Sequence, residues 1–116
     1  YIRLRDINED GYFTCISCGR TLSYSDAECG HYMGREHMTV RFDEKDCNAQ
    51  CHECNVEKRG NPEGYRRGLI RKYGEEAVLS LESAKYQYNK MLESDYREKI
   101  AHYRKEVKRL KREKGV

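Results

Sequence analysis

Two Cys-x-x-Cys pairs, Cys15-Ile16-Ser17-Cys18 and Cys51-His52-Glu53-Cys54, stand thirty-two residues apart in a chain of 116. Each pair can present two thiolates to one ion, and two pairs complete a tetrahedral zinc shell at about 2.3 Å per Zn–S bond. The intervening segment then becomes a loop closed by metal. The rest of the composition makes such a staple necessary: 37% of residues are apolar even when ten tyrosines are counted, Trp is absent and Phe occurs twice. A core that thin needs a metal or disulfides to hold it. Two disulfides or a redox dithiol are the competing readings of the same cysteines. No run approaches the roughly 20 apolar residues of a membrane span, and the N-terminus has no signal-peptide pattern. A cytoplasmic protein without membrane association is therefore expected, where disulfides do not persist. A redox site of the thioredoxin kind has no use for a second pair. Zinc on Cys15, Cys18, Cys51 and Cys54 is the expectation. Cys29 and Cys47 are left without a role. The chain opens on Tyr1 instead of Met, so a preceding segment is expected.

The single proline lies in the turn signal Arg59-Gly60-Asn61-Pro62-Glu63-Gly64, which divides a Cys-rich half from a helical half. We take residues 1–61 as the zinc-bound unit and 62–116 as a helical extension. Tyr12-Phe13-Thr14 reads as a strand entering the first knuckle. Gly30-His31-Tyr32-Met33 and Thr39-Val40-Arg41-Phe42 read as strands of a hairpin. A helix is predicted from Asp46 or Asn48 through Asn55. Beyond Pro62, Tyr65 to Tyr73 suits a helix stopped by Gly74. A second helix starts near Glu75 and carries Ala77, Leu81, Ala84, Tyr88 and Met91 at helical spacing. A third follows Ser94 or Asp95, with Tyr96, Ile100, Tyr103, Val107 and Leu110 on one face. These last two could pair as a hairpin, join a second subunit in a homodimer, or simply cover the core. The fold class is α+β.

A structural zinc does no chemistry, so what matters is what it holds in place. His31 is predicted on a strand, and Asn55 follows the last cysteine on a helix. An imidazole with an ordinary pKa near 6.5 can take a proton from water at neutral pH. An amide oxygen is a hard, neutral ligand for Mg²⁺ or Mn²⁺. A lone His beside Gly and an Asn beside a zinc ligand also have plain structural readings.

Taken together, Cys15-Ile16-Ser17-Cys18-Gly19-Arg20, Gly30-His31-Tyr32, Arg41-Phe42-Asp43-Glu44 and Gln50-Cys51-His52-Glu53-Cys54-Asn55 resemble the NinG/Rap recombination proteins of lambdoid phages, within the HNH or ββα-metal nucleases. Tyr65-Arg66-Arg67-Gly68-Leu69-Ile70 extends the likeness, which covers roughly residues 1–75. It implies a ββα-metal core and a phage- or prophage-encoded endonuclease that cuts branched DNA during recombination in a bacterial host. It implies His31 as general base and Asn55 as ligand of a catalytic ion. Two positions depart from the HNH pattern, Gly30 where an Asp is common and Asp46 where an Asn is common. Glu28-Cys29-Gly30-His31 is similar instead to the Asp-Arg-Gly-His run of non-specific ββα-metal nucleases. Glu28, His37 or Asp46 would then supply further metal contacts.

The net charge of +3 hides an asymmetry: residues 97–116 carry nine Lys and Arg against three Glu. Arg35 and Arg41 flank the expected hairpin, near where a scissile phosphate would lie, and arginine's fork can hold two phosphate oxygens. Lys58, Arg59, Arg66, Arg67, Arg71 and Lys72 form a denser group suited to DNA backbone, without base readout. A solvated helix face is the plainer account of them. Two other functions remain open. One is a non-catalytic zinc-ribbon module for nucleic acid or assembly; the other is a coiled-coil assembly protein capped by zinc.

Overall fold

The computed structural model describes residues 1–33, 43–84 and 93–116. A single helical turn, α1 (Ile2–Arg5), leads to the antiparallel hairpin β1 (Tyr12–Thr14) and β2 (Thr21–Ser23), whose tip is the first knuckle. A short 3₁₀ turn, Tyr24–Asp26, leads into β3 (Glu28–His31). That strand pairs antiparallel with β4 (Cys47–Gln50), with Glu28 opposite Gln50 and His31 opposite Cys47. The second knuckle continues into a wide turn, Glu53–Glu57, and then come α2 (Pro62–Tyr73), α3 (Glu75–Ala84) and α4 (Glu93–Lys114). Among the described residues, no helix is long and apolar enough to cross a membrane.

The predicted helix from Asp46 or Asn48 is corrected: residues 47–50 are a strand, and helical backbone begins only after Cys51. Asp46 and Asn48 look like helix caps in sequence, yet both are buried with their own partners. Asn48 Nδ2 donates to Lys45 O and Tyr65 Oη, while its Oδ1 accepts from Arg5 and Lys72. Gln50 Nε2 donates to Ser17 Oγ and Gly60 O. Every residue of β4 is buried, so the strand shows no alternation for a sequence reading to find. The proposed hairpin partner Thr39–Phe42 lies outside the described residues.

The helix expected over 65–73 is present and starts three residues earlier, with Pro62 at its first turn and Asn61 Oδ1 accepting from Gly64 N–H. Gly74 ends it, its N–H bonded to Ile70 O. Gly64 and Gly68 lie one turn apart and face the first knuckle. A Cβ on Gly68 would overlap the carbonyl oxygen of Ile16, so only glycine lets α2 approach that closely. Tyr65 and Leu69 flank the two glycines and seal a small cluster with Ile16, Val78 and Leu81.

A second cluster joins Leu4, Ile7, Phe13 and Ala49 to the buried cysteines of the knuckles and to Leu110 of α4. The third predicted helix is present, and the Tyr103, Val107 and Leu110 part of its apolar face covers this core, while Ile100 is exposed. Val107 and Leu110 pack on it, and the Tyr103 ring meets Tyr1 at 5.0 Å. The observed contact of the α4 face is therefore α1 and the core beneath it. Lys114 completes the joint, its Nζ donating to the carbonyls of Leu4, Arg5 and Ile7 at the C-terminal end of α1.

Candidate metal centre

Cys15 closes β1 and starts a tight knuckle, in which Cys15 N–H bonds Arg20 O and Gly19 N–H bonds Cys15 O. Ile16 N–H reaches Ala49 O, which hangs that knuckle beside β4. Cys51 follows β4 directly, and Cys54 lies in the turn after it. The ligand atoms of Cys15, Cys18, Cys51 and Cys54 all lie within 4.8 Å of one another. The Cys18 and Cys51 sulfurs are 3.8 Å apart, which matches the edge of a tetrahedron with bonds of about 2.3 Å. The cluster could hold a structural metal such as zinc.

The surroundings suit four thiolates. Cys51 N–H points at the Cys15 sulfur and Cys54 N–H at the Cys51 sulfur, both at 3.4 Å. Asn61 Nδ2 donates to the Cys54 sulfur at 3.5 Å, and the Arg20 guanidinium to that of Cys51 at 3.2 Å. Burial pushes the Cys18 thiol up, but hydrogen bonds from the Arg20 backbone and guanidinium outweigh it and draw it down to about 6. Negative charge on sulfur is thus met by donors before any ion arrives. All six cysteines are free thiols.

Beside the tetrad lies a polar group at the start of β3. Asn55 Nδ2 donates to Glu28 Oε1 at 2.8 Å, and the His52 ring donates to Glu28 Oε2 at 2.6 Å. These bonds, the one from Asn55 foremost, hold the Glu28 carboxyl below its usual range. A carboxylate, an amide and an imidazole therefore meet at an exposed corner of the molecule. The expected pairing of His31 with Asn55 is not what the structure brings together: Asn55 meets Glu28 and His52, while His31 points to the other face of β3, beside Cys47 and Asp46.

His31 leaves β3 on the opposite face from Glu28, as strand geometry requires. Its Nδ1 is 3.3 Å from the Cys47 sulfur and 3.9 Å from Asp46 Oδ2. Asp46 is fully buried; Oδ1 accepts from Met33 N–H, while Oδ2 has no hydrogen-bond partner among the described residues. Burial pushes that carboxyl up to about 7. Asp46 thus stands beside His31, across the strand from Glu28.

The basic residues divide by what they touch. Arg66 pairs with Glu82 at 3.2 Å, and Lys72 pairs with Asp6 at 3.0 Å while also bonding Asn48. Both are engaged within the fold. Lys58 sits 3.7 Å from Glu53 in an exposed pair, and Arg59, Arg67 and Arg71 are exposed. Arg35, His37 and Arg41 lie outside the described residues.

The profile of the family described as Bacteriophage Lambda NinG protein matches residues 1–113. The chain belongs to the NinG family. It is 35% identical over 107 residues to Protein ninG of Escherichia phage lambda, covering 86% of this chain and 50% of that one. Protein ninG of Salmonella phage P22 gives the same identity over the same length, with the same coverage of both chains. Protein ninG of Escherichia phage 933W is 42% identical over 84 residues, or 72% of this NinG-family chain and 39% of the relative. The chain thus spans about half or less of the curated relatives it matches. No solved structure matches it.

Proposed function

We propose that this chain is the zinc-held part of a metal-dependent endonuclease of the HNH kind that cuts branched DNA. The observation that carries the reading is the meeting of Glu28 with Asn55. The first residue of the Glu-Cys-Gly-His strand and the residue after the last knuckle cysteine place a carboxylate and an amide oxygen at one exposed corner. Oxygen donors of this kind fit a hard divalent ion such as Mg²⁺ or Mn²⁺, which would neutralise charge on the leaving oxygen. His52 would orient the Glu28 carboxylate. His31 leaves the same strand on its other face, so to take the proton from the attacking water at Nε2 it would have to reach a phosphate seated across the edge of the two-stranded ribbon; its Nδ1 lies 3.3 Å from the Cys47 sulfur. Arg59, Arg67 and Arg71 would hold DNA backbone.

The test is cleavage of a labelled four-way or forked duplex by the purified full chain with Mg²⁺ or Mn²⁺. His31→Ala should lower the rate by about 10²- to 10⁴-fold, the usual worth of a positioned base, while DNA binding persists. Asn55→Ala should raise the metal concentration needed for turnover. Cleavage by His31→Ala at the wild-type rate would remove His31 as the base, and binding of branched DNA with no cleavage under any divalent ion would leave the non-catalytic zinc-module reading in its place.

A further inference from the structure

The face of the β3–β4 ribbon that carries His31 also carries a second set of soft and borderline ligands, separate from the tetrad. Cys29 and His31 leave β3 on the same side, and Cys47 stands opposite His31 in register. The ligand atoms of these three residues lie within 4.8 Å of one another. Next to them is the Asp46 carboxylate, whose Oδ2 is 3.9 Å from His31 Nδ1. That oxygen is buried and has no hydrogen-bond partner among the described residues. A buried polar atom left without a partner carries its full desolvation penalty, so its persistence needs a cause. A cavity of about 340 Å³ bounded by Tyr1, Arg3, Cys29, His31, Glu44 and Cys47 opens on the group.

We propose that Cys29, His31 and Cys47 bind a second zinc ion, with the buried Asp46 carboxylate as fourth ligand. Two thiolates, one imidazole and one carboxylate are all established zinc donors. A tetrahedral zinc with bonds of about 2.0–2.3 Å sets ligand-to-ligand edges of roughly 3.4–3.8 Å. The two measured edges from His31 Nδ1, 3.3 Å to Cys47 and 3.9 Å to Asp46, bracket that range. The three ligands Cys29, His31 and Cys47 already lie within 4.8 Å of one another, while the Asp46 carboxylate must move inward by about an ångström to complete the shell, where the ion supplies the partner that Oδ2 lacks.

Loading this site has a consequence that rests on the nuclease reading. An ion on Nδ1 leaves the neutral imidazole with its proton on Nε2, so His31 becomes a donor and can no longer take a proton from water. Zinc here would switch the base off.

The test is a metal count on the full chain, saturated with zinc chloride under reducing conditions and freed of excess by gel filtration. Two zinc ions per wild-type chain and one per Cys29→Ser chain are expected. His31→Ala also falls to one, and its retained tetrad ion reports that it is folded. In the cobalt-substituted protein, Cys29→Ser should remove one set of thiolate bands and leave the tetrathiolate set. One zinc per wild-type chain, or two retained by both Cys29→Ser and His31→Ala, overturns the site. On a branched duplex with Mg²⁺, zinc should inhibit the wild type at a concentration at least tenfold lower than it inhibits Cys29→Ser. Equal inhibition would sink the switch. Absence of cleavage in every protein counts against the nuclease reading, while the metal count still decides the site.

Discussion

Gly68→Ala sets two effects of opposite sign against each other. In an ordinary helix interior this change stabilises by about 0.8–1 kcal/mol, because glycine loses more backbone freedom on folding. Here the added Cβ would overlap the Ile16 carbonyl oxygen and sit 2.9 Å from its carbon and 3.1 Å from Ile16 Cγ1. The obstacle is backbone, pinned by the Ile16-to-Ala49 hydrogen bond and by the neighbouring knuckle cysteines, so it cannot rotate aside. Helix α2 must retreat, and with it Tyr65 and Leu69, which are completely buried. Burial of each such side chain is worth about 1.5–3 kcal/mol, and overpacking alone typically costs about 1–3 kcal/mol. Net of the propensity gain, destabilisation of about 2 kcal/mol is expected, or a fall of about 8 °C in Tm for a domain of this size. Circular-dichroism melts of the zinc-loaded protein measure the first quantity. Zinc release to a chelator measures the second effect, which should be faster once α2 no longer roofs the knuckle. A Tm that rises by the ordinary glycine-to-alanine increment would refute the docking of α2 described above.

Two further outcomes follow from the joints between distant parts of the chain. Burial pushes the Asp6 carboxyl up, but the Arg5 guanidinium and the Ala49 N–H outweigh it and hold the group below its ordinary value of 3.8. Its stabilising contribution is therefore present in full above that value and lost as pH falls through the folded pKa. Urea melts between pH 6 and pH 2 should show a shallower acid limb for Asp6→Asn than for the wild type, and parallel limbs would remove Asp6 from the account. Lys114→Met keeps the aliphatic stem but leaves two α1 carbonyls and that of Ile7 without their ammonium donor; a loss of about 1–2 kcal/mol is expected in denaturant titration, and none would mean that α4 docks through Leu110 and Val107 alone.

The cysteine cluster and the C-terminal end of α2 were legible because each depends on local chemistry. Thiol spacing and Gly74 at the helix end act within a few residues of where they stand, whereas Pro62, read as a turn, opens α2 three residues before the expected start. Strand β4 was not legible, because Asn48 and Gln50 are polar side chains whose burial is offset by Arg5, Lys72, Tyr65 and Ser17 from other segments. Nothing near them in the chain announces those partners. The seat of α4 was hidden for a similar reason: Leu4 and Leu110 share a core from opposite ends of the sequence. The cysteines without a role in the spacing argument, Cys29 and Cys47, acquired neighbours only through the register that sets His31 opposite Cys47.

Gln50 links the cysteine cluster to the chemistry proposed beside it. It stands opposite Glu28 across the ribbon and immediately before Cys51. Its amide ties Ser17, inside the first knuckle, to Gly60, at the end of the turn that carries Asn55. The space its side chain fills is the space a Cβ on Gly30 would take, with the Gln50 amide carbon only 2.9 Å from that position. A side chain at Gly30 would displace the Gln50 amide from Ser17 and Gly60, which disfavours an Asp at this position. A carboxylate for the proposed ion would then come from a neighbouring position, and Glu28 is the residue whose oxygen meets Asn55. Glu28 is placed by the β3–β4 register and Asn55 by the turn that follows Cys51. Metal in the tetrad would lock both at once. The corner on which the proposed activity depends is thus a product of the cysteine cluster, even though no cysteine of that cluster takes part in the chemistry.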